Sequence, residues 1–418
     1  MQSLSRRLQF FRIESNIRIV AAAVALLYLA GGLVIAFVMV WLYKLGASFL
    51  QVGLVGASYN FALAISFLAG GALSDRYGGR AIFVISLICS LVSAILYGIA
   101  GFLAVWIPVA VGLVLGKVAM GLRQTSSFSI VTQTAQKDRK ATSFGFVYTL
   151  QQLGYVIGPM VGGVMILYFG WASPFLATVP IISVAIFLIL VKLNLGRATP
   201  SRVSLSFQDV KRSFTMDRGI MALTVIAMWN QFFEELSNPF FMIFLEEGFN
   251  PPPYVLGLCF TVMSIATLLF TIPGGLSVDI TGKRKPFITA SALMMTLSMG
   301  LVAFAFDPMM FVASYFLAGI SFAINNTTIP SYFADSTGRG LSTAYGVRLG
   351  AMYLVGMFAP AIGGWMIEAY GSIRLPFEVS LFGCAIEVGL VIFLFREGAR
   401  QGLKMQQSPA IFLRWLFR

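Results

Sequence analysis

Long apolar runs, separated by short polar connections, recur along the whole chain. A bilayer core about 30 Å thick requires roughly 20 consecutive apolar residues in a helix. The pattern therefore predicts an all-α membrane protein with twelve transmembrane helices, numbered here as spans 1 to 12. The predicted bounds are 19–43, 48–72, 81–100, 103–134, 141–169, 173–194, 219–245, 254–277, 286–306, 308–333, 341–369 and 376–395.

One connection, the polar and basic segment 195–218, is longer than most others and divides the spans into two sets of six. GALSDRYG at 71–78 returns as GLSVDITG at 275–282, and GPMVGG at 158–163 returns as APAIGG at 359–364. Such duplication is typical of transporters, in which substrates bind between the repeats. We therefore expect two pseudo-symmetric six-helix bundles. The predicted domains are an N-terminal bundle (1–194), a cytoplasmic central loop (195–218), a C-terminal bundle (219–395) and a basic cytoplasmic tail (396–418).

Composition and charge support a membrane location. Of the 418 residues, 58% are hydrophobic and 11% are charged, whereas soluble proteins carry about 25% charged residues. Most of the 29 basic residues fall on one side of the predicted topology, the side that holds both termini. Loops rich in Lys and Arg face the cytoplasm, so we expect a plasma-membrane protein with both termini inside. Anionic lipid of the inner leaflet accounts for the net charge of +13 without a nucleic-acid partner.

The residue types present argue against metal, cofactor and enzyme chemistry. The three cysteines, Cys89, Cys259 and Cys384, lie inside apolar runs, where they are typical of small buried hydrophobic residues. The chain has no histidine, the commonest metal ligand. The sequence contains no evident nucleophile–base set or cofactor-binding loop. We therefore predict a protein that is not an enzyme and that uses neither a metal nor a cofactor.

The segment GGALSDRYGGR lies between spans 2 and 3, on the predicted cytoplasmic side. Its glycines could form a phosphate-binding loop, but such a loop follows a β-strand and this segment follows a predicted membrane helix. Asp75 can instead accept hydrogen bonds from helix N-termini or pair with Arg76 or Arg80. Gly71 permits close helix approach, and Asp279 is the matching acid of the second copy. We expect this cluster to latch the cytoplasmic side in an outward-open state.

This segment resembles the signature between helices 2 and 3 of the major facilitator superfamily, Gly-x-Leu-Ser/Ala-Asp-Arg-x-Gly-Arg. The first copy departs from it at Gly79, where a basic residue is usual, and the second at Ile280, which replaces the arginine. The resemblance covers the whole chain in helix count, central loop and repeat. It implies alternating access by a monomer, with helices 1, 4, 7 and 10 lining a central cavity.

Span 5 contains a second motif, GYVIGPMVGG. Gly154, Gly158 and Gly162 recur every fourth residue and form one smooth face, which lets a neighbouring helix approach closely in lipid. Pro159, which has a counterpart in Pro360, removes one backbone hydrogen bond and permits a bend. The motif resembles the helix-five motif of proton-driven drug exporters. Span 1 lacks the acid or proline that such exporters often carry there, so a coupling acid must lie elsewhere.

Span 7 contains two adjacent acids, Glu234 and Glu235, within the segment NQFFEELSNPF. A charge at membrane depth costs about 2.5 kcal/mol or more and is usually functional. Asn230, Gln231 and Asn238 lie three or four residues away and form a polar stripe with the acids. The resemblance places this stripe beside the central cavity, so we expect at least one of the acids to carry protons. The alternative is a glutamate held neutral in structural hydrogen bonds.

Spans 4, 5, 10, 11 and 12 carry further polar residues. Lys117 occupies the position where family members often have an arginine linked to proton coupling, and Arg123 lies nearer the inside. Glu387 is expected to be buried and hydrogen-bonded, because the twelfth helix is peripheral in the family. The remaining candidates for substrate contact are Gln151, Gln152, Asn325, Asn326 and Arg348.

These observations lead to a functional hypothesis. We expect proton-coupled export of a small amphiphilic or cationic compound. The main alternative is proton-coupled uptake of a small solute, which could be an anion held by Lys117, Arg123 and Arg348. A third interpretation is a transport-inactive membrane sensor on the same fold.

Overall fold

The computed structural model describes residues 14–135, 140–193, 218–337 and 341–396. The predicted central loop, apart from its last residue, and the predicted tail, apart from its first, lie outside the described residues. The helices of spans 1 to 12 are, in order, Ser15–Ile35 with Val38–Lys44, Phe49–Tyr77, Gly79–Leu103, Ile107–Thr134, Lys140–Phe169, Ser173–Lys192, Arg218–Ser237 with Phe241–Phe249, Pro253–Thr281, Lys285–Ala303, Pro308–Thr337, Leu341–Gly356 with Ala359–Tyr370, and Leu375–Leu394.

The predicted all-α fold is confirmed. All twelve predicted spans are helical over the described residues, and that part of the chain contains no strand. Within the same part, eleven helices are long and apolar enough to cross a membrane. Span 7 is the exception: its first helix, Arg218–Ser237, has 20 residues but contains the polar stripe of Asn230, Gln231, Glu234 and Glu235, and its second helix, Phe241–Phe249, has only nine residues.

Three of the twelve spans are interrupted in the structure. Span 7 passes through a 3₁₀ turn at Asn238–Phe240, span 1 is broken at Ala36–Phe37, and span 11 at Met357–Phe358. Pro239 and Pro360 explain two of these breaks, because proline lacks a backbone N–H and its ring clashes with the preceding turn. The breaks in spans 1 and 7 occupy equivalent positions in the two repeats.

Spans 1–6 form one bundle, here the N-half, and spans 7–12 form the other, the C-half. In the N-half, span 1 packs on spans 5 and 6, and span 4 packs on spans 2 and 3. In the C-half, span 10 packs on spans 8 and 9, and span 12 packs on spans 7 and 9. The halves meet chiefly where span 5 packs on span 8 and span 2 packs on span 11. These two contacts are equivalent, because spans 2 and 8, and spans 5 and 11, are repeats of each other.

Glycines permit the close approach at both contacts between the halves. A Cβ atom on Gly257 of span 8 would collide with the backbone carbonyl of Pro159 in span 5. A Cβ atom on Gly53 of span 2 would likewise collide with the carbonyl of Pro360 in span 11. Backbone therefore packs directly on backbone, as in other membrane helix pairs with small residues at the interface.

The halves are in contact at the far side, which we define as the side opposite residues 14 and 396. The Lys44 Nζ atom, at the end of span 1, lies 2.6 Å from Glu246 Oε1 in span 7. The Leu50 backbone N–H donates to Glu368 Oε1 of span 11 over 2.9 Å. Glu246 is buried, so its ion pair is shielded from water more than a surface pair would be. The far side is closed in this structure.

The predicted latch lies at the opposite, terminal side. The Arg76 side chain is exposed, and its guanidinium lies 5.3 Å from the ring centre of neighbouring Tyr77. Arg80 is half-buried and Asp279 is exposed, while the side chain of Asp75 lies outside the described part. The latch therefore stays a prediction.

Candidate functional site

A central cavity of about 370 Å³ lies between the two halves. Spans 1, 4, 7 and 10 contribute to its wall, as the resemblance implies, together with residues from other spans. Most lining side chains are apolar, with many methionines and aromatic rings. The methionines are Met39, Met120, Met242, Met263, Met295 and Met299. Such flexible, polarisable walls suit an apolar ligand without demanding one shape.

Three charged side chains line this cavity. Glu234 reaches it from span 7 of the C-half, and Lys117 and Arg123 reach it from span 4 of the N-half. Asn238, in the broken turn of span 7, lines it as well. The two walls of the cavity therefore differ in charge, with the acid on one half and the cations on the other.

Glu235 is buried behind the cavity wall, at the contact between the halves. Its Oε2 atom accepts hydrogen bonds from Asn60 Nδ2 at 2.8 Å and from Tyr59 OH at 3.2 Å, both in span 2. Its Oε1 atom accepts from Gln231 Nε2 at 3.1 Å and from Asn238 Nδ2 at 3.2 Å, both on its own span. Four donors therefore satisfy this carboxylate. We call this arrangement of Glu235 with Tyr59 and Asn60 the central clamp, because it joins spans 2 and 7.

Glu234 has different surroundings, although it is the adjacent residue. Its carboxylate is half-buried and accepts no hydrogen bond from any described residue. It lies close enough to Glu235 and Glu387 for electrostatic repulsion between the acids. An acid without donors, beside two other acids, is free to exchange a proton or to bind a cation.

The two cations also differ from each other. Lys117 Nζ lies 4.6 Å from the ring centre of Tyr59 and interacts electrostatically with Glu235, so it interacts with the central clamp as well as lining the cavity. The Arg123 guanidinium lies 5.2 Å from the ring centre of Tyr28. Its buried Nε atom has no hydrogen-bond partner among the described residues.

A second polar cluster lies inside the C-half. Asn230 Nδ2 donates to Glu387 Oε2 of span 12 over 2.7 Å, and Trp229 Nε1 donates to the Gly383 carbonyl over 2.9 Å. Arg348 of span 11 is buried and interacts electrostatically with Glu387. Glu387 is therefore buried and hydrogen-bonded, as expected, but its donor is the asparagine that the sequence pattern grouped with Glu234.

Replacement of Glu387 by leucine is expected to lower the free energy of unfolding by about 3 kcal/mol, because it leaves the half-buried amide of Asn230 and the buried guanidinium of Arg348 without this acid. Thermal unfolding in detergent, followed by size-exclusion chromatography, measures this loss. Glu387→Gln keeps an acceptor for Asn230, so its loss should be smaller. Equal stability of the leucine variant and the unaltered protein would contradict a stabilising role for this cluster.

The other predicted candidates for substrate contact lie outside the cavity wall. Besides Asn230, Gln231, Glu235 and Arg348, these are Gln151, Gln152, Asn325 and Asn326. Gln152 is buried, and Asn326 is exposed. Their predicted contact with substrate stays a prediction. Tyr59 and Asn60 did not emerge from the sequence, although a polar Ser-Tyr-Asn triplet within an apolar span was a usable signal.

The comparison with protein families agrees with this architecture. The family model described as Major Facilitator Superfamily matches residues 20–233 and again residues 220–410. The chain belongs to the major facilitator superfamily. The two matches divide near the start of span 7, and together they cover nearly all of the described part. The chain is therefore a membrane transporter.

Curated relatives resemble the chain at low identity. The quinolone resistance protein NorA of Staphylococcus aureus (strain COL) is 22% identical over 391 residues, covering 91% of this chain and 96% of NorA. The MFS-type transporter SLC18B1 of Rattus norvegicus is 25% identical over 351 residues, covering 78% of this chain and 75% of that protein.

Solved structures share the fold. The nucleoside transporter NupG has a TM-score of 0.75 at 15% identity, covering 92% of this chain and 100% of NupG. A D-xylose-proton symporter has a TM-score of 0.68 at 17% identity, covering 92% of this chain and 98% of that structure. At such identities the likeness concerns the fold.

Proposed function

We propose that this transporter exports a small amphiphilic or cationic compound in exchange for protons. The observation that carries the proposal is the carboxylate of Glu234, which faces a largely apolar cavity without a hydrogen-bond donor of its own. A half-buried acid of this kind can hold either a proton or a cationic group. Competition between the two would couple their movements in opposite directions.

The proposed cycle uses Glu234 as the proton carrier and leaves Glu235 in the central clamp. With the far side open to the exterior, Glu234 takes up a proton, becomes neutral and releases its cationic ligand. With the far side closed, as here, Glu234 releases the proton to the cytoplasm and the carboxylate binds the next ligand. One proton enters for each ligand that leaves at this site.

The names of the relatives support the proposed direction of transport. The Staphylococcus aureus proteins are named for quinolone resistance, and removal of a compound from the cell is a direct route to resistance. We further propose a location in the plasma membrane, termini in the cytoplasm and activity as a monomer, which follow from the charge distribution and the family resemblance.

Transport by purified protein in liposomes tests the proposal. A lipophilic fluorescent cation is expected to accumulate in vesicles with an acidic interior and to leave when a protonophore collapses the pH gradient. Protein-free vesicles give the passive distribution of the dye. Accumulation that is independent of the pH gradient would refute proton exchange.

A second candidate is uptake of a solute together with protons. Lys117 and Arg123 line the cavity and favour a solute with an anionic group. The same vesicles distinguish the two candidates, because a symported solute accumulates in vesicles with an alkaline interior. A sensor without transport activity would show no counterflow of any ligand.

A further inference from the structure

Two unsatisfied charged groups face the cavity from opposite halves. Arg123 of the N-half has a buried Nε atom without a hydrogen-bond partner in the described structure, and no described acid forms an ion pair with it. Glu234 of the C-half likewise accepts no hydrogen bond from any described residue. Leaving a buried polar atom unsatisfied costs free energy. A ligand that supplies a partner to Arg123 would recover that cost, and a cationic group on the same ligand would pair with Glu234.

The other charges buried in this region already interact within the protein. Glu235 accepts four hydrogen bonds and interacts with Lys117. Glu387 accepts a hydrogen bond from Asn230 and interacts with Arg348. These interactions stabilise the closed protein, so the charged groups that form them need no partner from a ligand. Of the three charged residues that line the cavity, Arg123 and Glu234 are the two without such a partner among the described residues.

The ring of Tyr28 does not satisfy the hydrogen-bond donors of the Arg123 guanidinium. A cation lies over the face of an aromatic ring and is attracted to its π electrons. Guanidinium N–H donors point outward in the plane of the group, so they remain available for an oxygen ligand. A carboxylate matches this planar fork with two parallel hydrogen bonds, whereas a lysine would offer only a point charge.

We propose that the substrate is a zwitterion, in which a carboxylate binds Arg123 and a protonated amine binds Glu234. An apolar, preferably aromatic, body between the two groups would contact the methionines and rings of the cavity wall. This inference rests on the proposed function and narrows its substrate class. A zwitterion contacts both halves at once, whereas a simple cation contacts only the C-half acid.

A series of three compounds with one aromatic body tests this proposal. The first is an aromatic zwitterion with its amine and its carboxylate at opposite ends of the ring, such as 4-(aminomethyl)benzoic acid. The others are its methyl ester, which is only cationic, and its N-acetyl derivative, which is only anionic. Binding of each compound to the purified protein is measured directly by isothermal titration calorimetry. The unaltered protein is expected to bind the zwitterion roughly tenfold or more tightly than either relative, since each lost charged hydrogen bond is worth that much.

Substitutions test which residue binds the carboxylate of the ligand and which binds its amine. Arg123→Gln is expected to weaken zwitterion binding roughly tenfold and to leave the ester unaffected, and Glu234→Gln should leave the N-acetyl compound unaffected. Arg123→Lys keeps the charge without the fork and should show an intermediate loss. Arg18→Gln removes an exposed cation that lies outside the cavity wall and should change nothing.

The outcomes separate this proposal from the broader one. If Arg123→Gln weakened the binding of all three compounds equally, the zwitterion proposal would be overturned. Tighter binding of the ester than of the zwitterion by the unaltered protein would also overturn it. Transport of the zwitterion that is independent of the pH gradient would instead refute proton exchange, while the proposed substrate class would remain supported.

Discussion

Replacement of Glu234 by glutamine is expected to abolish uphill transport while exchange of substrate down its gradient continues. Glutamine has nearly the same shape but cannot take up or release a proton, so a pH gradient can no longer do work on the substrate. In vesicles with an acidic interior, accumulation should fall to the level reached without a gradient. Counterflow of labelled substrate against unlabelled substrate measures the exchange that remains.

Glu235→Gln is the matched control, because it makes the same chemical change one residue away. The amide has one acceptor oxygen and brings a donor toward Tyr59, Asn60, Gln231 and Asn238, whose donors all point at this carboxylate. This variant should therefore weaken the central clamp and reduce counterflow as well as uphill transport. The double variant should fold but lose uphill transport. Unchanged pH-driven transport in the double variant would remove both acids from the mechanism.

Replacement of Gly257 by alanine is expected to open the far side. The new Cβ atom would collide with the backbone of Pro159 across the contact between spans 8 and 5, and separation of the halves relieves that collision. Spin labels at Val105 and Asp307, which lie in far-side loops of the two halves, should show a longer distance by pulsed electron paramagnetic resonance. The three native cysteines must first be replaced.

Gly158→Ala tests whether this effect is specific to the contact between halves. Its Cβ atom would lie 2.7 Å from the Cα atom of Gly32 and 2.8 Å from the Leu29 carbonyl oxygen, both in span 1 of the same half. No change of conformational state relieves that collision, so stability should fall, by about 1–3 kcal/mol. A shift of the label distance in Gly158→Ala, or none in Gly257→Ala, would contradict this assignment.

The sequence predicted the spans well, because burial in lipid imposes long apolar runs whatever the tertiary structure. Contacts along one helix were also predictable from spacing: Gln231 and Asn238 do donate to Glu235. The breaks in the helices were harder to predict from the sequence. Prolines mark the breaks in spans 7 and 11, but no proline marks the break in span 1.

Contacts between spans could not be predicted from spacing. Asn230 lies four residues before Glu234, yet it donates to Glu387 of another span, because the rotation of a helix against its neighbours depends on the whole bundle. The same reason explains why the pattern could not tell that Glu234 lines the cavity while Glu235 lies behind it. The ion pair of Lys44 and Glu246 joins residues about 200 positions apart, and nothing in either local sequence indicates it.

The central clamp lies at mid-depth, near the middle of span 7. When two rigid bodies rock against each other, points near the pivot move least, while the ends swing through the largest arcs. The bonds of Tyr59 and Asn60 to Glu235 can therefore act as a fulcrum that persists while the two entrances open in turn. A molecule wedged against this fulcrum would stall the rocking motion without occupying either entrance.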